Sequence, residues 1–275
     1  MSLFLYCDEK GLTWLRQGSL PFYEATSLMD PFVSNASVKQ PENDTPVTDE
    51  EFQAELKIQY KALPHSLSSL LTFEYFEQQS QTKRESIETQ IRLRSLPKAS
   101  SIPFKQQDNL TLLSLYERAD NPALWQYYGD NHQGIAIELD QSHKFFTAPH
   151  YKDAPQMFRP VEYSQERPLE LKDSHPFISL FHRSETYAHD REWRVLRPAA
   201  VAEKKMMVHD HPVHLHRMPT GIIKSVTFGA TMNYELKETL KKLLKNDLRY
   251  RQIPMMECCL DPTQYRLHRE PVDSS

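Results

Sequence analysis

The segment from Ser114 to Asp140 carries the residues whose types and spacing are best suited to chemistry. Within it, Trp125, Tyr128 and His132 follow one another at intervals of three and four residues, so a helix would present them on one face. That face would place a stacking surface beside a titratable imidazole. The same spacing is also typical of a core-facing aromatic stripe, in which His132 only caps the end of the helix.

A second group of chemically suitable residues lies in the strand-like sequence EWRV at 192–195. Alternation along a strand places Glu192 and Arg194 on one face and the apolar residues on the other. If the charged face lines a cleft, Glu192 can hold a sugar hydroxyl or stabilise a cationic transition state, and Arg194 can position a phosphate. A simple surface ion pair is the alternative. We expect Glu192 and Arg194 to face the same concavity as Tyr128 and His132.

Histidines recur in the sequence HDHPVHLH, at His209, His211, His214 and His216. Alternating histidines on a strand could bind zinc or nickel. Because no acidic or thiolate partner is fixed beside them by the sequence, a solvated hairpin is the preferred interpretation. The three cysteines are too few for a site built mainly from thiolates. We therefore expect no metal.

Several enzyme classes are excluded by the absence of their motifs. The chain has only six glycines, and none form the GxGxxG fingerprint or the phosphate-binding loop of nucleotidases. No GxSxG elbow surrounds a serine, so a serine hydrolase is excluded as well. Any nucleotide must be held in another way.

Composition indicates a folded protein without a strong global electrostatic field. Apolar residues make up 39% of the chain, which suffices for a core, and the formal charge of −4 is spread over interleaved acids and bases. The low cysteine count favours a reducing compartment. The opening MSLFLYCDEK is too short for a signal-peptide core, and no window reaches the ~18 apolar residues of a membrane span. We predict a cytoplasmic protein that does not contact a membrane.

Periodicity and turn residues predict a mixed α+β fold. Strands are expected near 3–6, 20–23, 110–115, 135–139, 159–163, 192–196, 222–228 and 255–260, and helices at 11–18, from 49, at 66–96, 123–131 and 234–244. Some strands follow one another too closely for helical crossovers, which favours a mixed, mainly antiparallel sheet. A split form of this sheet is one alternative. We predict a single domain, 1–275, with a flexible loop at 34–48 and a helical insertion at 49–100.

The same blocks carry a family resemblance. They are the first strand FLY with MDPF at 29–32, SLYERADNPALWQYYGDNHQGIAIELD at 114–140, RSETYAHDREWR at 183–194 and IKSVTFG at 223–229. In this order they resemble an uncharacterised bacterial domain family found near phage-defence and abortive-infection genes. This chain departs from the family by having Met29 for Asn, Arg183 for Lys, Tyr187 for Trp and Asp190 for Glu.

The opening strand, helix and strand of that family, with its late strand glutamate, are similar to ADP-ribosyltransferase-like folds, which hold NAD in a split sheet without a glycine fingerprint. The resemblance implies NAD as substrate, broken through an oxocarbenium-like state that a carboxylate stabilises. It implies Glu192 and His132 as catalytic residues. The residues that it implies for substrate or cofactor binding are Tyr6, Arg118, Trp125, Tyr128 and Arg194.

Three functions follow as hypotheses. The first is an NAD-using, ADP-ribosyltransferase-like enzyme that acts as a bacterial defence or toxin effector on a protein or nucleic-acid acceptor, with a defence-system partner protein. The second is a sensor that binds a nucleotide or a protein without turnover. The third is a nucleic-acid enzyme or binder that contacts the phosphate backbone through Arg118, Arg183, Arg191 and Arg194.

Overall fold

The computed structural model describes residues 2–28, 30–34, 47–64, 71–95, 110–147, 157–168, 177–208 and 210–272. Met29, His209 and most of the predicted loop at 34–48 lie outside these ranges. The chain divides into two compact units. The first contains Met1–Ala36, Ile102–Arg167 and His175–Ser275, and the second contains Ser37–Ser101 and Pro168–Ser174.

The strands of the first unit form a large, mostly antiparallel sheet. In chain order the described strands are β1 (Ser2–Cys7), β2 (Ser19–Glu24), β3 (Leu110–Tyr116), β4 (Ile135–Asp140), β5 (Met157–Pro160), β6 (Glu162–Ser164), β7 (His182–Ser184), β8 (Glu192–Pro198), β9 (Lys204–Val208), β10 (His211–Arg217), β11 (Ile223–Phe228), β12 (Met255–Leu260) and β13 (Leu267–Pro271). Eleven of these described strands share one sheet, and β6 pairs with β7. The predicted mixed, mainly antiparallel α+β fold is confirmed.

The main sheet runs in the order β13-β12-β11-β4-β1-β3-β2-β10-β9, and β8 lies between β3 and β5. Within it, β11 and β12 are parallel, whereas the other pairs are antiparallel. Strand β8 pairs with β3 along its whole length, from Leu110 to Tyr116. The other edge of β3 is therefore shared, with β1 at Tyr116 and β2 at Thr111 and Leu112. Strands β1 and β2 thus pair with different ends of the same edge of β3.

Helices flank this sheet and also form the second unit. The first unit contains α1 (Gly11–Gln17), α2 (Pro31–Ser34), α6 (Pro122–Tyr127), α7 (Lys144–Thr147) and α8 (Tyr234–Asn246). The second contains α3 (Asp49–Lys61), α4 (Phe73–Gln81) and α5 (Arg84–Ser95). Short 3-10 turns occur at Ala25–Ser27, Ile178–Phe181, Glu185–Asp190 and Ala199–Val201. None of the described helices is long and apolar enough to cross a bilayer.

The two faces of the sheet at β3 and β8 differ in character. Residues opposite each other in an antiparallel pair point to the same face, and the direction alternates along each strand. Leu113 pairs with Val195 on the face that carries the largest apolar core. Tyr116 pairs with Glu192 on the opposite face. This second face positions the candidate site.

The second unit has its own small core. Its first helix, α3, begins at a capping box, in which the Thr48 side chain accepts from the Glu51 backbone and Glu51 accepts in return from the Thr48 backbone. Phe52, Leu56 and Ile87 are buried together between the helices.

The predicted helix at 123–131 is too long, because α6 ends at Tyr127. Asp130, Asn131 and His132 instead adopt left-handed backbone angles, with φ of 49°, 50° and 68°. Gly134 suits a left-handed helix stop by its residue type, but it does not adopt left-handed angles. Gly134 is needed for another reason: a Cβ there would lie 2.0 Å from the Cys7 carbonyl oxygen.

Two further predictions about strands need correction. The predicted strand at 159–163 is two strands, β5 and β6, which belong to different sheets. Strand β13 was not predicted, because its sequence LHREP has little β-branched or aromatic content. The hairpin expected around HDHPVHLH exists as β9 and β10.

Candidate functional site

Glu192 is the centre of a buried network of charges. Its side chain is 2% exposed, and both carboxylate oxygens accept two hydrogen bonds. Ser114 Oγ (2.6 Å) and Arg194 Nε (2.7 Å) donate to Oε1. Arg183 Nη1 and Arg194 Nη2 donate to Oε2, each at 3.0 Å. These four contacts use the accepting capacity of the carboxylate.

Arg183 extends the network to two further carboxylates. Its Nε donates to Asp30 at 3.1 Å, and its Nη1 also lies 3.1 Å from Asp190. Arg194 uses its remaining nitrogen, Nη1, on the Leu180 carbonyl. The cluster therefore contains three carboxylates and two guanidinium groups. His189 lies 3.3 Å from Asp190 and adds a positive charge only when it is protonated.

The pKa values of Glu192 and Asp190, two buried carboxylates of this network, are shifted in opposite directions. Burial alone raises the pKa of Glu192, but Arg194 and Arg183 outweigh it and hold that pKa below its ordinary value. For Asp190, burial dominates the attraction of Arg183, so its pKa is raised. The excess negative charge of the cluster is thus least stabilised at Asp190.

Two partly exposed tyrosines border the network. Tyr128 stacks on Tyr116 with ring centroids 5.3 Å apart, and it remains 38% exposed. The Tyr187 ring lies 3.9 Å from the guanidinium carbon of Arg183 and is exposed to a similar degree. Burial raises the pKa of Tyr128, and the charges of Arg183, Glu192 and Asp190 also act on it, so its hydroxyl lies close to the network.

Tyr6 and Trp125 belong to the core beside the site. Trp125 has no exposed surface, and its Nε1 donates to the Ala119 carbonyl at 2.7 Å. The Tyr6 hydroxyl donates to the Arg118 carbonyl at 2.7 Å, and its ring contacts Trp125 edge-on. In this conformation neither ring presents surface to a ligand. Of the aromatic face predicted from helical spacing, Tyr128 is the exposed ring beside the network.

His132 lies farther along the same face. Its ring stacks on Trp125 at 6.4 Å, and its carbonyl oxygen accepts from the Thr231 backbone. Among the described contacts, none joins His132 to Glu192. Burial lowers the pKa of His132, and its buried Nδ1 has no hydrogen-bond partner among the described residues. The two predicted catalytic residues thus share a face without a direct contact.

The arginines predicted to contact substrate or phosphate are engaged with carboxylates. Arg118 makes a two-pronged contact with Asp120 at 2.7 and 2.8 Å on the surface. Arg194 is buried with all three nitrogens in use, so it cannot position a phosphate in this conformation. The prediction of a surface ion pair between Glu192 and Arg194 is half right, because the pair exists but is buried.

The described histidines of HDHPVHLH do not gather around a common metal. His214 Nε2 lies 2.9 Å from Glu24, and His216 packs on Phe22 with ring centroids 4.4 Å apart. Both are buried, so the prediction of a solvated hairpin is wrong for these two residues. His209 lies outside the described residues.

The sequence alone did not show that Asp30 belongs to the network. It lies 153 residues before Arg183, and no periodicity connects them. The signal that existed was the sequence RSETYAHDREWR, which contains four members of the network: Arg183, Asp190, Glu192 and Arg194.

No family model, curated protein or solved structure matches this chain. The chemistry of the site is therefore inferred from the geometry and charges of its own residues. A cluster with more carboxylates than guanidinium groups, held at low dielectric, stabilises positive charge placed beside it.

Proposed function

We propose that the chain is an NAD-using enzyme of the ADP-ribosyltransferase type and acts as a bacterial defence or toxin effector. The observation that carries the proposal is the excess carboxylate of the buried network, located at Asp190 beside the exposed rings of Tyr128 and Tyr187. Cleavage of the nicotinamide bond develops positive charge on the ribose. A preorganised carboxylate stabilises that charge more than it stabilises the ground state.

Asp190, and not Glu192, is the carboxylate with accepting capacity left for a substrate; its side chain is 6% exposed, so the proposal requires substrate binding to uncover it. Glu192 has no accepting capacity left, whereas Asp190 Oδ1 has one described side-chain neighbour among the ionisable groups, His189 at 3.3 Å. In this proposal Arg194 holds Glu192, Glu192 holds Arg183, and Arg183 in turn orients Asp190. Tyr128 and Tyr187 supply faces on which planar rings of a dinucleotide can stack.

The shared edge of β3 supports an ADP-ribosyltransferase-like architecture. Strand β1 pairs with β3 at Tyr116 and β2 pairs with it at Leu112, so a split between them would lie next to Ser114, which donates to Glu192. A nucleotide held in such a split needs no glycine fingerprint, which suits the six glycines of the chain. The acceptor of ADP-ribose would be a protein or nucleic acid, and a partner protein of a defence system would control the reaction.

A second candidate is a binding module without turnover. The saturated hydrogen bonding of Glu192 favours it, because such a network also serves purely to hold β3, β7 and β8 together. The nucleic-acid hypothesis is less well supported. Two of its four arginines, Arg183 and Arg194, are buried against carboxylates.

Incubation of the full chain with NAD labelled in the nicotinamide ring tests the proposal. We expect release of labelled nicotinamide, and an about 100-fold slower release in Asp190→Asn, the size of one preorganised electrostatic contact. Asp120→Asn is the matched control, because that carboxylate pairs with Arg118 at the surface, and it should retain the rate.

Calorimetric titration with NAD separates the two candidates. Binding without release supports the non-catalytic module and contradicts the enzyme. Absence of both binding and release contradicts the enzyme and an NAD-binding module. Equal rates in Asp190→Asn and Asp120→Asn would show that the carboxylate was assigned wrongly.

A further inference from the structure

The hairpin of β12 and β13, at one end of the described sheet, gathers metal-binding side chains on a single face. Cys259 lies opposite His268 in the register, and Glu270 follows His268 by two residues, so all three point to the same side. Cys258 and Arg269 form the next pair and point to the other side. There, Cys258 is buried and Arg269 hydrogen-bonds within the sheet face.

The three side chains are already close to the spacing of metal ligands. The Cys259 sulfur, a His268 ring nitrogen and a Glu270 oxygen all lie within 4.8 Å of one another. His268 Nε2 and Glu270 Oε1 are 3.0 Å apart. In a tetrahedral zinc site, bonds of 2.0–2.3 Å separate the ligand atoms by roughly 3.3–3.8 Å. Small rotations of these partly exposed side chains, moving the sulfur by about 1 Å, would complete the geometry.

We propose that Cys259, His268 and Glu270 bind one divalent transition-metal ion of the zinc class, with water as the fourth ligand. The thiolate and imidazole disfavour magnesium and calcium, which take oxygen ligands. One thiolate and one carboxylate neutralise the double positive charge of the ion. Glu270 and His268 are open to solvent, so the fourth position is accessible to water.

The hairpin is held in register independently of the ion. In its turn, Asp261 accepts from the backbone nitrogens of Thr263 and Gln264, each at 2.9 Å, and from Arg266 at 2.7 Å. The strands therefore present their ligands at a fixed spacing, which lowers the entropy that binding must overcome. An ion bound here would clip β13 to β12.

A paired carboxylate lies beside the three ligands. Glu257 lies opposite Glu270 on the same face, and its carboxylate is paired with Lys237 of α8. The charges of Glu257 and Lys237 offset each other, so Glu257 is not needed as a ligand.

Titration of the full chain with Co²⁺ reads out the ligands directly. We expect one equivalent to bind, with the near-ultraviolet charge-transfer absorption of a cobalt–thiolate bond, and Zn²⁺ to displace it. Cys259→Ala should abolish the absorption. His268→Gln should weaken zinc binding by at least about 100-fold, the upper end of the loss seen when only an outer-shell contact is removed.

The chain offers two matched controls. Cys258→Ala removes the adjacent thiol, which points to the opposite face. His182→Gln removes another histidine that pairs with a glutamate, since His182 lies 3.3 Å from Glu162. Among the described residues, this pair does not belong to a group of possible metal ligands. Both should keep the absorption and the stoichiometry. Absence of the charge-transfer band in the folded wild-type chain, or its persistence in Cys259→Ala, would overturn the proposal.

Discussion

Replacement of Glu192 by glutamine should lower the free energy of unfolding of the first unit substantially. The substitution keeps the shape of the side chain but replaces one accepting oxygen with an amide donor. Whichever way the amide turns, its NH₂ group faces donors: Ser114 and Arg194 on one side, or Arg183 and Arg194 on the other. Arg194 has no other carboxylate in its described contacts, so its charge is left buried without compensation.

The magnitude follows from what each arginine retains. Arg183 still contacts Asp30 and Asp190, so the main cost falls on Arg194. Breaking a buried ion pair by removing one partner costs about 3–5 kcal/mol. For a chain of this size that lowers the midpoint of thermal unfolding by roughly 6–20 °C. The loss is a large part of a typical stability of about 5–15 kcal/mol.

Denaturant unfolding followed by circular dichroism measures this cost. The matched control is Glu162→Gln, whose carboxylate is 74% exposed and pairs with His182; it should change the free energy of unfolding by less than about 0.5 kcal/mol. Adding Arg194→Met to Glu192→Gln should cost little more, because the uncompensated charge is then gone. A loss below about 1 kcal/mol in Glu192→Gln, or strictly additive effects in the double variant, would refute this account of the network.

The remaining predictions concern the same network and the backbone beside it. Asp190→Asn should leave the free energy of unfolding unchanged or raise it, because folding raises the pKa of Asp190 and so disfavours its charged form at neutral pH; a loss of several kcal/mol in denaturant titration would contradict this. The pKa of Glu192 is lowered by folding, so its contribution is present above its ordinary value of about 4.3 and is lost as pH falls through the folded value. Acid titrations should accordingly show a smaller loss of stability below pH ~4 in Glu192→Gln than in wild type, and equal slopes would count against the assignment. Gly134→Ala should destabilise by more than about 3 kcal/mol, because its Cβ would lie 2.0 Å from the Cys7 carbonyl oxygen. Gly221→Ala has open space around the added Cβ, so it should cost only the about 1–2 kcal/mol of its φ of 81°. If thermal unfolding shows Gly221→Ala to be the less stable of the two variants, the close approach at Gly134 does not determine the cost.

Local pattern determined most elements of this protein. Alternation in IAIEL and EWRV predicts β4 and β8, and the capping box at Thr48 and Glu51 predicts the start of α3. These signals are local because a strand or a cap is stabilised by residues close together in the chain. The predicted α+β class with a mainly antiparallel sheet followed from the same signals.

The end of α6 could not be read from periodicity. Three consecutive left-handed residues, Asp130 to His132, follow the helix, and each costs about 1–3 kcal/mol that surrounding contacts must offset. Those contacts come from distant backbone: His132 accepts from Thr231, and Gly134 accepts from Gly229. Glycine is required at 229 because a Cβ there would meet the His132 carbonyl at 2.1 Å.

Sequence by itself determined which blocks contain the candidate site, and tertiary structure decided how the side chains within them are buried and paired. The residue types of EWR indicated a charged pair, but only the pairing of β3 with β8, together with Asp30 and Arg183, buried Glu192 and saturated it. Burial and hydrogen-bond saturation depend on groups far apart in the chain, so no local spacing encodes them. The contacts made in the fold are therefore the reason why Asp190, and not Glu192, is the candidate reactive carboxylate.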